Sequence, residues 1–316
     1  MTRDLILSFD IGGTKIAYGL VKNNRILSYQ KILWQKPLNS RKIINKIVEV
    51  IENCKLPSSR DFGELSRAAQ AKRKIENFKA IALGIAGQVD FKEGSVVLSP
   101  NISKKREKIF LKKILEKKFN LPVFLDNDVN CFTLGEAIFG LGKGERIVLG
   151  LTIGTGIGGG VVIEKKIFRG KDGFASEFGH MTLEVGGHKC VCGKRGCFEA
   201  YASGRAMREI YFGLTGQRKN TFFIEEEFYR KKPEAIFTVN ETARWLAIGL
   251  ANLINIFNPD LIILGGGMAC FQPFIKIALK NIKPWLLVKE IKSKILISRL
   301  REKAGILGAA LLTKEL

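Results

Sequence analysis

Histidine is nearly missing from this chain: two residues in 316, His180 and His188. Both lie in one window, Glu177 to Glu199, with Cys190, Cys192 and Cys197, half of the six cysteines. Also missing is any apolar run near the ~20 residues that a spanning helix needs. The first residues, Met1-Thr-Arg-Asp-Leu-Ile-Leu-Ser-Phe-Asp10, hold no long apolar stretch of the kind a secretory leader carries. These absences argue against a membrane protein and against secretion, and make a reducing, cytoplasmic setting the expectation. Acidic residues are scarce as well: 30 Asp and Glu against 52 Lys and Arg, a net charge of +22. Nucleic-acid binding would account for such a balance. However, the basic residues are spread along the chain, at Lys104-Lys105-Arg106, Lys112-Lys113, Lys117-Lys118 and Arg230-Lys231-Lys232. No helix-turn-helix, zinc-finger or RNA-recognition pattern accompanies them. The expectation is a lysine-rich solvated surface and no nucleic-acid partner, with some attraction for anionic substrates such as ATP.

The cysteine window is the most specific feature present. Thiolates and imidazole are the ligands zinc prefers, and in a reducing compartment clustered cysteines favour metal over disulfide. Cys190, Cys192 and Cys197 with His180 make a Cys3His set; His188, two residues before Cys190, is the alternative fourth ligand. Four protein ligands leave no open position, so the expected Zn2+ is structural. It would fix in space the two carboxylates that flank the window, Glu177 and Glu199.

The length suits two domains of ordinary size, and 46% hydrophobic residues with 33 glycines suit a globular α/β chain. Leu5–Ile11 and Ile16–Val21 read as strands around the turn Gly12-Gly13-Thr14-Lys15, followed by a polar hairpin at Lys22–Arg25. Ile43, Ile44, Ile47, Val48 and Ile51 have the spacing of an amphipathic helix over Ser40–Asn53. Pro57–Asn77 is polar and basic, either a surface helix or an insert. Ile81–Gly87 and Pro122–Asp126 read as strands and Lys108–Phe119 as a helix. Ile147–Ile167 then repeats the pattern of Leu5–Ile26: apolar strand, Ile-Gly turn, apolar strand, basic hairpin. That echo suggests two similarly built halves. Thr238–Phe257 reads as a long helix, Leu261–Leu264 as a strand, and Ala304–Leu316 as helical.

Three glycine turns adjoin apolar strands: Gly12-Gly13, Gly154-Thr155-Gly156 and Gly265-Gly266-Gly267. Such turns let backbone N–H groups approach phosphate oxygens; tight hairpins use the same residues. Neither a Walker A sequence nor a Gly-x-Gly-x-x-Gly fingerprint is present. Asp10 ends the first strand, where a carboxylate orients Mg2+ or caps a turn. Asp128, in Asp126-Asn-Asp-Val-Asn130, reads equally as a helix cap or as a base accepting a hydroxyl proton.

Asp10-Ile-Gly-Gly-Thr-Lys15, Asn127-Asp-Val-Asn130 and the Glu177–Glu199 cysteine block, in this order, resemble the ROK family of sugar kinases and repressors, over nearly the whole chain. The resemblance implies an α/β fold of two ribonuclease-H-like (actin-like ATPase) lobes with an interlobe active-site cleft. The lobes are expected as 1-118 plus 301-316 and 119-300. It implies ATP-dependent phosphorylation of a hexose, glucose first at its 6-hydroxyl, with Asp128 as the catalytic base. N-acetylmannosamine, N-acetylglucosamine, fructose and mannose are the alternative substrates. Gly87, Asn101, Asn127, Glu177, His180 and Glu199 match sugar-binding positions. Under that reading His180 gives one ring nitrogen to zinc and the other to sugar. Asp10, Gly12, Gly13, Thr14 and Lys15 match the first phosphate loop, Gly154, Thr155 and Gly156 the second, and Gly265, Gly266 and Gly267 the adenosine side. MgATP is the implied cosubstrate and a homodimer or homotetramer the implied assembly. Val129 and Ala86 stand where the family favours alanine and proline. The repressor branch carries an N-terminal helix-turn-helix domain, for which the kinase-like start at Leu5 leaves no expected room.

Overall fold

The structure is a computed structural model that describes residues 5–33, 39–54, 77–98, 103, 107–288, 290 and 292–314. The expected sugar ligand Asn101 and residues 57–76 of the basic insert lie outside the described residues.

Two compact units divide the chain: Met1–Gly140 with Arg169–Ala175 and Glu302–Leu316, and Leu141–Phe168 with Ser176–Arg301. The first boundary therefore falls after Gly140 rather than after residue 118. The reason is strand pairing: Val123–Asn127 completes the first sheet, and the helix Asp128–Phe139 follows it directly.

The sheet of the first unit comprises β1 (Leu5–Ile11), β2 (Lys15–Lys22), β3 (Arg25–Leu33), β4 (Phe78–Ile85) and, after three short strands, β8 (Val123–Asn127), in the order β3-β2-β1-β4-β8. β1 to β3 are antiparallel neighbours joined by tight turns; Asn23 and Asn24 have φ of 49 and 63°, as a primed hairpin turn requires. β4 and β8 run parallel to β1. The short strands β5 (Gly87–Asp90), β6 (Ser95–Leu98) and β7 (Lys108–Ile109) form a separate antiparallel sheet. Lys108-Ile109 is thus strand, and the expected helix is shortened to Leu111–Phe119.

Phe9, Leu7, Ile47, Phe78 and Ile81 are fully buried in one core, each contributing on the order of 1.5–3 kcal/mol through lost apolar surface. β1 is buried over four consecutive residues because both faces of the sheet are covered. Its cover includes the last helix, Glu302–Leu311, whose Ile306 carbonyl accepts a 2.6 Å hydrogen bond from the Ser8 hydroxyl. That helix also lies against Asp128–Phe139 at backbone contact: a Cβ on Gly308 would sit 1.7 Å from the Cys131 oxygen.

In the second unit β9 (Ile147–Ile153), β10 (Ile157–Ile163), β11 (Lys166–Ile167), β12 (Leu261–Gly265) and β13 (Lys294–Ile297) are ordered β11-β10-β9-β12-β13. Again two neighbours are antiparallel and two parallel. The internal echo is therefore a repeated sheet. Pro233–Phe257 buries Val239, Ala243, Leu246 and Leu250 in this unit's core. No helix among the described residues is long and apolar enough to cross a membrane.

Candidate active site

Parallel register gathers the first half of the site. Asp10 lies beside Gly84, and Ile85 beside Asn127, so β1, β4 and β8 deliver Asp10, Gly87 and Asn127-Asp128 to one edge, the carboxyl end of the strands. That edge is where open α/β sheets bind ligands.

The helix after β8 is capped by Asn127, not Asp128. The Asn127 Oδ1 accepts from the N–H groups of Val129 (2.8 Å) and Asn130 (3.2 Å). Its Nδ2 donates to the Gly87 carbonyl at 3.0 Å. Capping and the bond to Gly87 leave Asn127 one amide hydrogen for a ligand. Asp128 is the first residue of the helix and half-buried. The capping duty weighed against catalysis for Asp128 thus falls to its neighbour.

At the β1–β2 turn the Gly12 N–H donates to the Lys15 carbonyl at 3.0 Å. No acceptor among the described residues takes the N–H of Gly13 or Thr14, so the turn leaves two donors open. Lys15 pairs with Glu302, which also accepts from the Tyr29 hydroxyl and from Lys31 at 2.9 Å. Partial burial works against ionisation of Glu302, but these donors lower its pKa to about 2. The half-buried Asp10 behaves oppositely. Loss of water raises its pKa to about 6, with Lys15 pulling down and Glu302 pushing up.

The second unit brings two glycine loops together. Gly266 has φ of 83°, and a Cβ there would lie 2.4 Å from the Ile153 oxygen, so only glycine allows this approach of the loop after β12 to the end of β9. The Gly154 N–H donates to Gly156, while the carbonyls of Gly154 and Thr155 accept from Gly204 (2.8 Å) and Arg205 (3.3 Å) at the start of the helix Gly204–Thr215. Ser203 caps that helix. The helix start beside the loop was not foreseen from sequence; Ser203-Gly204-Arg205, a cap residue before a helical run, is the signal that marks it.

His180, Cys190, Cys192 and Cys197 present ligand atoms that all lie within 4.8 Å of one another. His188 is elsewhere: its ring packs on Tyr201 at 4.7 Å, and its N–H donates to the Tyr201 hydroxyl. Cys192 and Cys197 sulfurs are 3.7 Å apart and Cys190 Sγ is 3.8 Å from His180 Nδ1. A zinc tetrahedron with Zn–S of about 2.3 Å has S···S edges of about 3.8 Å, so the donor set fits the ion. Burial and the neighbouring thiols push Cys197 up to about 12, a state that a bound cation would reverse. The other ring nitrogen, Nε2, faces the Glu177 carboxylate at 4.0 Å. Glu199 is buried, accepts from the Ile157 N–H at 2.8 Å and lies 3.5 Å from Arg205.

Two units with one repeated sheet topology and glycine turns at equivalent hairpins, the first with Asp10 and Asp126 near its strand ends, are the ribonuclease-H-like, actin-like ATPase fold. Within that class the chain belongs to the ROK family, whose profile matches residues 6–316. A glucokinase of Streptomyces coelicolor is 33% identical over 332 residues, spanning 98% of both chains. A xylose repressor of Caldicellulosiruptor bescii is 33% identical over 255 residues, 76% of this chain and 63% of the repressor. A ROK family glucokinase from Streptomyces griseus, solved in complex with glucose and AMPPNP, superposes with a TM-score of 0.78 at 34% identity, covering 98% of each chain.

Proposed function

We propose that this chain is an ATP-dependent hexose kinase acting on the 6-hydroxyl of glucose, with Asp128 as the base. The carrying observation is the placement of Asp128: a half-buried carboxylate at the first position of a helix whose cap is already supplied by Asn127. The similarity to glucokinases at 33–34% identity over nearly the full length supports the same reading. Asp128 removes the proton as the sugar oxygen attacks the γ-phosphorus; the bond to the bridging oxygen breaks and ADP leaves with its electron pair.

Asp10 would hold Mg2+ brought in with ATP, and the ion would neutralise charge on the phosphates. Gly13 and Thr14 present N–H donors for phosphate oxygens, with Lys15 beside them. The glycine loops of the second unit bind the nucleotide, and Glu177, His180 and Glu199 take sugar hydroxyls. His180, Cys190, Cys192 and Cys197 would hold a structural zinc that keeps Nε2 of His180 turned toward Glu177.

N-acetylated hexosamines, mannose and fructose are the alternative substrates. A sugar-sensing repressor is the alternative of another class, since a xylose repressor is 33% identical over 255 residues, and turnover that needs a sugar separates the two. The test is ADP release with MgATP across glucose, mannose, N-acetylglucosamine, N-acetylmannosamine and fructose, with a no-sugar control. Turnover that needs glucose supports the proposal; zinc-loaded, folded protein silent on every sugar overturns it.

A further inference from the structure

One part-buried ion pair stands two residues before the base and has no part in the reaction as written. Arg169 Nε donates to Asp126 Oδ2 at 2.6 Å, with side-chain exposures of 16% and 4%. The other oxygen, Oδ1, accepts from the Asn127 N–H at 2.7 Å and from the Asn130 amide at 2.8 Å. Arg169 reaches this place because Arg169–Ala175 belongs to the first unit, while its chain neighbours Phe168 and Ser176 belong to the second. The seven residues are seated on the β5 turn. The guanidinium lies 4.6 Å from the centre of the Phe91 ring, and a Cβ on Gly173 would be 2.8 Å from the Val89 carbonyl oxygen.

We propose that Arg169 is a positioning residue for the base: by pinning Asp126 it fixes the turn that orients Asn127 and Asp128. An aspartate carboxyl turns easily about its last torsion, which has no sharp staggered wells. The Arg169 bond to Oδ2 stops that rotation and keeps Oδ1 aimed at the two groups it serves. One of them is the peptide N–H of Asn127, so Asp126 sets the peptide plane from which the helix is launched. The other is the amide of Asn130, whose Oδ1 is buried without a partner among the described residues, so the bond to Asp126 orients that side chain. Asn127 next holds Gly87 and caps the helix, and Asp128 follows as its first residue. Guanidinium to carboxylate to the Asn127 backbone is a run of hydrogen bonds inside the first unit, and Asp128 is the next residue along the chain.

The inference rests on the kinase reading for its catalytic half only, and the experiment separates the two. Arg169→Met, Arg169→Lys and the double variant Asp126→Asn/Arg169→Met are compared with the wild type in kcat, in KM for MgATP, in melting temperature and in hydrogen exchange of the peptide spanning Val123 to Phe132. The double variant guards against misfolding, because it leaves no lone buried charge. Expected for both methionine variants is a fall in kcat of about 10- to 100-fold, as for a misplacement of up to an ångström. KM for MgATP should stay within about twofold, the double variant should melt near the wild type, and exchange at Asn127 should be faster. Arg169→Lys should recover part of the loss, since it keeps the charge without the planar fork. A double variant that melts normally and turns over within about twofold of wild type overturns the proposal. Unchanged exchange at Asn127 overturns it whether or not the chain is a kinase. Wild-type protein inactive on every sugar removes the kinase reading alone, and the exchange result then decides the ion pair's role.

Discussion

Gly308→Ala offers a prediction whose sign depends on the packing described above. In an exposed helix, alanine for glycine is stabilising by roughly 0.5–1 kcal/mol. Gly308 is not exposed. A Cβ there would stand 1.7 Å from the Cys131 oxygen, 2.6 Å from its carbonyl carbon and 2.9 Å from the Gly135 nitrogen. Carbon atoms in contact sit about 3.5–4.0 Å apart, so the last helix would have to withdraw by roughly 1.5–2 Å. The obstacle is helical backbone on Asp128–Phe139, which cannot rotate aside as a side chain would. The facing glycine, Gly135, is equally close: its Cβ would meet the Ala304 oxygen at 2.0 Å. Overpacking costs about 1–3 kcal/mol where neighbours adjust, and the upper end applies here. For a unit of this size a kilocalorie is about 2–4 °C, so the first unit should melt about 6–12 °C lower in scanning calorimetry. Turnover should fall with it, because the helix that loses this packing partner begins at Asp128, and misplacement by an ångström costs on the order of 100-fold. Gly213→Ala is the control: it lies in the helix Gly204–Thr215 with nothing within 4 Å of its Cβ, and should be neutral or stabilising. A Gly308→Ala protein that melts at or above the wild type would falsify the close approach of these two helices.

Asp128→Asn should lower kcat by several orders of magnitude while sugar binding by calorimetry survives; near-normal turnover would remove Asp128 from the role of base. Asp10 gives a pH signature in the nucleotide-free protein. Its pKa is raised from 3.8 to about 6, so between those values the folded state binds more protons than the unfolded one and stability falls as pH rises. Asp10→Asn should therefore gain about 1–3 kcal/mol at pH 7.5 in denaturant titrations, with the gain vanishing below pH ~4; a loss at pH 7.5 would refute the burial argument. Protein purified under reducing conditions should carry one zinc per chain by elemental analysis. Cys192→Ser should lose the metal and become open to proteolysis between Glu184 and Gly196, and a metal-free wild type with an intact loop would defeat that assignment.

Local patterns were legible in sequence where local physics decides them. The helix Ser40–Asn53 follows from five apolar residues at helical spacing after a cap, and the Asn39 side chain supplies that cap by accepting from Lys42. The long helix begins at Pro233, five residues before the expected Thr238, because proline at the first turn is compatible with a helix start. Lys108-Ile109 was expected as helix and is strand, since its partner is Val96-Val97 and pairing across the chain leaves no periodic trace. The choice of His180 over His188 rests on Tyr201, which holds His188 by a tilted ring contact and by a hydroxyl that accepts from its backbone N–H. Asp126 and Arg169 were invisible as a pair for the same reason: 43 residues separate them, and only the fold brings the guanidinium to the carboxylate.

The repeat explains why the two units share a sheet without sharing the chemistry. β1 and β9 have the same length and the same burial pattern, and the same position in each faces a glycine on the parallel neighbour: Asp10 beside Gly84, Thr152 beside Gly265. A carboxylate stands at that position in the first unit and a hydroxyl in the second. Threonine leaves the second glycine loop uncharged, as the proposed binding of a polyanionic nucleotide there favours. The divergence continues on the outermost parallel strand. β8 ends in Asp126-Asn127 and launches the helix that begins with Asp128, while β13 ends at Ile297 and Ser298 holds the Arg301 N–H. One unit thus carries the acids suited to metal and proton transfer. The other offers backbone donors, a Cys3His cluster and the carboxylates Glu177 and Glu199, the groups to which the proposed function assigns nucleotide and sugar.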